Sequence, residues 1–194
     1  MMQHGKVVIL NGASSSGKTS ILRAFQDMMP QPFLDMGIDR FIWMMPSRYL
    51  ERPLWDDVLG KAVSAGKSGH RLISAMQHAI ATVASLDNHV IADHVLIDPA
   101  WVKELVSLFS DQPAYLIGVQ CPLEVLEQRE RERKNRTLGQ ARAQFEVIHK
   151  NCDYDLTVDS SCSSPEECAA QIAARLVTPA RALRTMAGRN GPMI

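Results

Sequence analysis

No sign of charge dominates this sequence: 21 lysines and arginines are matched by 21 aspartates and glutamates. A balanced chain has no global field to gather nucleic acid or an anionic membrane, so nonspecific nucleic-acid binding is disfavoured and recognition must be local. Cysteine is scarce too. Cys121, Cys152, Cys162 and Cys168 form no C-x-x-C pair and have no histidine at finger-like spacing. That argues against zinc and for reduced thiols serving as small apolar fillers or surface groups. No segment offers about eighteen consecutive apolar residues. The opening MMQHGKVVIL runs straight into a strand-like stretch without the apolar core and cleavage site of a signal peptide. A cytoplasmic protein with no membrane segment is the expectation. Repeats are absent, and 194 residues with 46% hydrophobic content suffice for one well-buried α/β domain but not for two of ordinary size.

Against this background stands GASSSGKT, residues 12–19, between the apolar run 6–11 and a helical pattern from Ser20 onward. The spacing G-x-x-x-x-G-K-[ST] at a strand-to-helix turn is that of a phosphate-binding P-loop. Small residues let the backbone wrap a phosphate, and successive N–H groups with the helix N-terminus supply positive potential. Gly12, Ala13, Ser14, Ser15, Ser16, Gly17, Lys18 and Thr19 are therefore the candidate nucleotide-binding residues. Lys18 is placed to reach the β- and γ-phosphates and the Thr19 hydroxyl to hold Mg²⁺. A chance Gly/Ser turn is the plain alternative; four filled positions and two readable flanking elements weigh against it. Gly66-Lys67-Ser68 imitates a second P-loop ending, but Lys61 stands where the first glycine is required.

The remaining chain alternates strand and helix signals. A helix over 19–29 is stopped by Pro30 and Pro32, and 33–39 reads as a short strand that ends in Asp39. In an open parallel sheet the carboxyl edge is where ligands bind, which makes Asp39 a site candidate. Residues 46–69 have no clean periodicity, and 41–49, rich in methionine and aromatics, fits an apolar acceptor pocket or a core helix equally well. An amphipathic helix over 70–85 precedes the strand 89–93, whose terminal Asp93 is suited to hold the Mg²⁺ water shell opposite Thr19. Its alternative is a strand-end aspartate capping a turn. Asp98 and Pro99 open the next helix, 114–121 reads as a central strand, and the helix 123–134 carries Arg129, Arg131 and Arg133, with Arg136 beyond. Those arginines could close on a triphosphate, yet Glu127, Glu130 and Glu132 interleave with them as on any solvated helix. A helix over 138–150, a strand over 155–159 and a helix opened by Ser164-Pro165 complete residues 1–178 as one domain with an arginine-bearing lid around 129–138. Residues 179–194 read as a flexible C-terminal tail. The β-α series predicts a three-layer α/β sandwich with a parallel five-stranded sheet, a P-loop NTPase fold. Without an N-K-x-D motif, and with too short a chain for a motor or remodelling ATPase, the small-kinase branch remains.

Five stretches together, ILNGASSSGKTSILR, GIDRFI, VIADHVLIDPAW, GVQCPLEVLEQRERERKNR and FEVIHKNCDYDLTVD, resemble successive signatures of chloramphenicol phosphotransferase and its relatives over residues 5–177. The resemblance implies the nucleotide and shikimate kinase type of fold, ATP and Mg²⁺ as cofactors, and transfer of the γ-phosphoryl group to a hydroxyl of a small molecule, chloramphenicol or a related acceptor. It also implies that Asp39 is the catalytic base and that the lid arginines fall within 129–136, Arg133 and Arg136 matching best. Arg129 is then a nucleotide contact. Arg40 and Trp43 stand where smaller or more polar residues are expected, and would reshape the acceptor pocket. Two other readings stay open: a kinase of a nucleotide, nucleoside-sugar or RNA end, and an ATP-binding sensor without turnover. A homo-oligomer is compatible with all three.

Overall fold

The computed structural model describes residues 4–46, 67–132 and 138–189. Among them five strands, β1 (Val7–Asn11), β2 (Phe33–Asp35), β3 (His89–His94), β4 (Ala114–Gln120) and β5 (Leu156–Asp159), form one sheet in the order β2-β3-β1-β4-β5, every neighbouring pair parallel. The helices are α1 (Lys18–Met28), α2 (Ile38–Ile42), α3 (Lys67–Ser85), α4 (Pro99–Phe109), α5 (Leu123–Glu132), α6 (Gln140–Phe145), α7 (Pro165–Arg175) and α8 (Ala182–Arg189).

The alternation of strand side chains builds the layers. Val7 and Ile9 pack with Ile73, Met76 and Ile80 of α3 and Leu105 and Phe109 of α4, while Val8 and Leu10 pack with Ile21, Leu22 and Phe25 of α1 and Ile172 of α7. All of β1 is buried, as a parallel strand covered by helices on both faces must be. The expected three-layer sandwich is therefore present. Because β1 lies between β3 and β4, its carboxyl end opens into the crevice where strand connections diverge, the usual ligand position in such sheets. Two helix starts follow their sequence signals: Asp98 accepts from Ala100 N, and Ser164 with Glu167 forms a reciprocal capping box.

Three expectations need correction. The strand over 33–39 stops at Asp35, because the Asp35 carboxylate takes the Gly37 N–H (3.1 Å) and turns the chain; Asp39 lies in the first turn of α2. The helix over 138–150 is α-helical only from Gln140 to Phe145, since the Ile148 carbonyl is taken by Asn11 Nδ2 (2.9 Å) and the chain bends towards β1. Residues 182–189 are not a loose tail. They form α8, with Ala182, Leu183 and Met186 buried against α4 and β4. The Asp155 carboxylate, 26 residues earlier, accepts from Arg181 N (2.7 Å) and Ala182 N (3.2 Å) and also pairs with Arg175 (2.8 Å). The helix thus has its cap outside its own segment.

Candidate active site

The P-loop leaves the end of β1 and enters α1 through Gly17, whose φ of 86° is a left-handed conformation that side chains rarely tolerate. Its walls are small and buried. The hydroxyls of Ser14, Ser15 and Ser16 are buried without a partner among the described residues, an arrangement suited to a bound group. Lys18 is only 7% exposed, and its ammonium donates to the Gly12 (2.7 Å) and Ala13 (2.8 Å) carbonyls, so the charge is held over the loop.

Asp93 is paired with Leu10 across the β1–β3 ladder, so the sheet register sets its carboxylate beside the start of the loop. Asp93 Oδ2 accepts from the Thr19 hydroxyl at 3.0 Å. α2 comes close because residue 37 has no side chain: a Cβ on Gly37 would collide with the Asp93 carboxylate. This contact brings Asp39, half-buried in the first turn of α2, into one cavity with Ser14 to Thr19, Asp93, Gln140 and Gln144. A neighbouring cavity of about 180 Å³ is lined by Arg23, Asp35, Asp39, Arg40 and Trp43. Arg40 is tied to Asp35 (2.7 Å), which raises its pKa through the hydrogen bond and the charge, and Trp43 is 63% exposed. The stretch 41–49 is split: Ile42 is buried, Trp43 and Met44 are exposed, and 47–49 lie outside the described residues.

On the opposite side of the loop, Arg129 donates to the Ser160 carbonyl (2.8 Å) and hydroxyl (3.2 Å). With Ser15, Gly17, Ser20, Ile21, Ser163 and Pro165 it lines a cavity of about 370 Å³. Arg133 and Arg136 lie outside the described residues. Glu130 is not on a solvated helix face. It is 2% exposed, and its two carboxylate oxygens accept from Gly139 N (2.7 Å) and Ala141 N (2.9 Å), fastening the start of α6 to α5.

Several residues here escape sequence reasoning. Gln144, fully buried on α6, accepts the Ser14 N–H through Oε1 at 2.6 Å. Asn11, at the root of the loop, donates to Ile148 O and Tyr154 Oη (2.8 Å) and accepts from Leu96 N (2.8 Å). Tyr154 Oη lies 2.6 Å from His149 Nδ1. Burial raises the Tyr154 pKa and lowers that of His149, the latter helped by the Lys18 charge, so both stay neutral. His94, completely buried beside Asp93, is pushed down to about 3 by desolvation and takes the Val95 N–H on Nδ1. The signal available for α6 was a pair of glutamines four residues apart, which a helix sets on one face.

A family model described as chloramphenicol phosphotransferase-like protein matches residues 5–177, which include every described residue of this crevice. The chain belongs to the chloramphenicol phosphotransferase-like family. Within reach of this family-wide likeness, a Mycobacterium tuberculosis protein named "Putative O-phosphotransferase" is 32% identical over 184 residues, covering 88% of this chain and 82% of that protein. Solved structures resemble the chain more distantly. A sugar kinase from Janibacter sp. superposes with a TM-score of 0.67 at 16% identity, over 89% of this chain and 95% of that one. The Mycobacterium tuberculosis APS kinase in complex with AMPPNP and APS gives 0.61 at 16% identity, over 91% and 99%. At such identity the likeness establishes the fold: this chloramphenicol phosphotransferase-like chain has the P-loop kinase architecture. No helix among its described residues is long and apolar enough to cross a membrane.

Proposed function

We propose that the chain is an ATP-dependent phosphotransferase that moves the γ-phosphoryl group to a hydroxyl of a small molecule, chloramphenicol or a related acceptor. The observation that carries this reading is a cavity lined by Asp39 together with the P-loop, Thr19 included, and Asp93. The residues fit the groups they would hold. Buried hydroxyls and the first amides of α1 suit phosphate oxygens, and the Thr19–Asp93 oxygen pair suits Mg²⁺, which takes one or two protein oxygens and fills its shell with water and phosphate. Bound there, Mg²⁺ neutralises charge on the β- and γ-phosphates.

The protein's own part is positioning. Lys18 exchanges its two carbonyl partners for phosphate oxygens, and Arg129 with Ser160 forms a platform at the nucleoside end. Asp39 receives or orients the acceptor hydroxyl; because the transition state is loose and the proton leaves late, alignment counts for more than basicity. From the sequence, Arg133 and Arg136 are the further cations for the moving phosphoryl group. A second reading is a kinase of a nucleotide, nucleoside-sugar or RNA end, for which the adjoining cavity offers Arg23 and the exposed Trp43 ring, with Arg40 already paired to Asp35.

An acceptor screen by mass spectrometry tests both. Chloramphenicol-like alcohols and 5′-hydroxyl or nucleotide acceptors are incubated with Mg·ATP, and Lys18→Ala serves as the blank. ATP-dependent phosphate gain by a chloramphenicol-like alcohol supports the first reading, gain by a 5′-hydroxyl or nucleotide acceptor the second. ATP binding with no gain by any acceptor would leave a sensor and remove the transferase assignment.

A further inference from the structure

The root of the P-loop is held by a run of hydrogen bonds in which each donor can be assigned. Asn11, the last residue of β1, is fully buried immediately before Gly12. Its Oδ1 takes the Leu96 N–H (2.8 Å), and a backbone N–H can only donate, so the amide has one orientation. Nδ2 then donates to the Ile148 carbonyl (2.9 Å) and to Tyr154 Oη (2.8 Å), with the Cys152 thiol a weaker neighbour at 3.7 Å. Tyr154 Oη accepts from Asn11 and gives its own hydrogen to His149 Nδ1 (2.6 Å), which puts the proton of the neutral imidazole on Nε2.

Two features bring that hydroxyl to Asn11. In the β1–β4 ladder Asn11 is paired with Gly118, where a Cβ would stand 2.9 Å from Tyr154 Cδ2; the ring therefore lies on bare β4 backbone beside Asn11. The residues on either side of Tyr154 are fastened to α8. Asp153 N donates to Met186 Sδ (3.4 Å), and the Asp155 carboxylate accepts from Arg181 N and Ala182 N. α8 lies beyond the residues matched by the family model, yet one side chain, Tyr154, spans from these contacts to the residue before the loop.

We propose that Tyr154 is a positioning residue for the phosphate-binding loop: its hydroxyl, set from α8 through residues 153 and 155, holds the Asn11 amide and with it the start of the loop in the geometry that a nucleotide's phosphates require. Loop amides hold phosphate only where they converge, and hydrogen bonds weaken steeply off their geometry, so a small shift at Asn11 is felt as affinity. The C-terminal helix thereby belongs to the scaffold of the site although none of its residues is among those lining the P-loop cavities. This inference rests on the proposed nucleotide site but not on the identity of the acceptor.

The test sets Mg·ATP affinity, from titration calorimetry on the full chain, against melting temperature. Tyr154→Phe removes only the hydroxyl and keeps the ring on Gly118; it should weaken Mg·ATP by on the order of fivefold, the equivalent of one hydrogen bond. Met186→Ala, which deletes the acceptor of Asp153 N and loosens α8, should weaken it by a smaller factor, and should add little in the Tyr154→Phe background because both act through the same hydroxyl. Ile80→Val, in the core between α3 and the sheet, is the control and should melt lower with unaltered affinity. A hydroxyl that serves stability alone makes Tyr154→Phe behave like this control, and that result overturns the proposal, as do losses from Tyr154→Phe and Met186→Ala that simply add. If the parent itself binds no Mg·ATP, the nucleotide site falls and this inference falls with it; parental binding with unchanged variants removes the inference alone.

Discussion

The Asp93 carboxylate accepts the Thr19 hydroxyl at 3.0 Å, joining the end of β3 to the first turn of α1. Asp93→Asn retains an oxygen for that hydrogen bond and removes only the charge. The variant should melt close to the parent, while the Mg²⁺ concentration needed for half-maximal nucleotide turnover rises at least about tenfold, the usual loss when one anionic contact to a divalent cation goes. An unaltered Mg²⁺ requirement would show that Asp93 only caps the loop.

Asp39 separates a catalytic from a structural role in the same way. Asp39→Asn should cut turnover by roughly 10²-fold or more, as removal of a general acid or base does, with Mg·ATP affinity retained. Because the P-loop and Asp93 are distinct from it, nucleotide binding is the internal control. Full activity in this variant removes the proposed role of α2.

His94 makes stability depend on pH. Its ordinary pKa of 6.5 applies to the unfolded chain and falls to about 3 on burial, so between those values the unfolded state binds a proton that the native state refuses. Stability from this group is complete above about pH 6.5 and is lost as pH falls towards 3, with a slope of up to about 1.4 kcal/mol per pH unit. The lowered pKa of His149 adds in the same direction. Urea denaturation at a series of pH values should show the slope, and His94→Asn should flatten it; an equal slope in the variant would refute the assignment.

Asp155 should matter far from the site. Its side chain is fully buried and holds Arg175, Arg181 N, Ala182 N and Leu116 N together. Asp155→Ala strands a largely buried guanidinium and should cost about 3 kcal/mol, the typical penalty for breaking a buried pair. Hydrogen exchange should then quicken first in Ala182–Arg189, and unchanged protection there would mean that α8 is held by its apolar face alone.

The features legible in the sequence are those with local causes. GASSSGKT carries its own backbone geometry, Asp98-Pro99 and Ser164-Pro165 cap their helices within four residues, and the alternating strands show their buried faces directly. The sequence makes Asp39 a candidate both as a strand-end acid and through the resemblance, and the structure moves it from a strand end to the first turn of α2, because the Asp35 to Gly37 turn that ends β2 depends on a single side-chain contact. Gln144, Glu130 and the helix α8 were missed for a shared reason. Each is a polar or weakly apolar signal whose partner, Ser14, Gly139 or Asp155, lies on another element, so no window of sequence contains both halves.

The bare backbone at Gly37 also governs how this surface can diversify. α2 rests directly on the Asp93 carboxylate, and any replacement there would either drive the helix outward or turn the carboxylate away from Thr19. The exposed Trp43 and Met44 just beyond the helix meet less packing, whereas Arg40 is tied to the Asp35 carboxylate that turns the chain into α2. The close approach at Gly37 thus constrains one wall of the crevice more tightly than the exposed residues beyond α2.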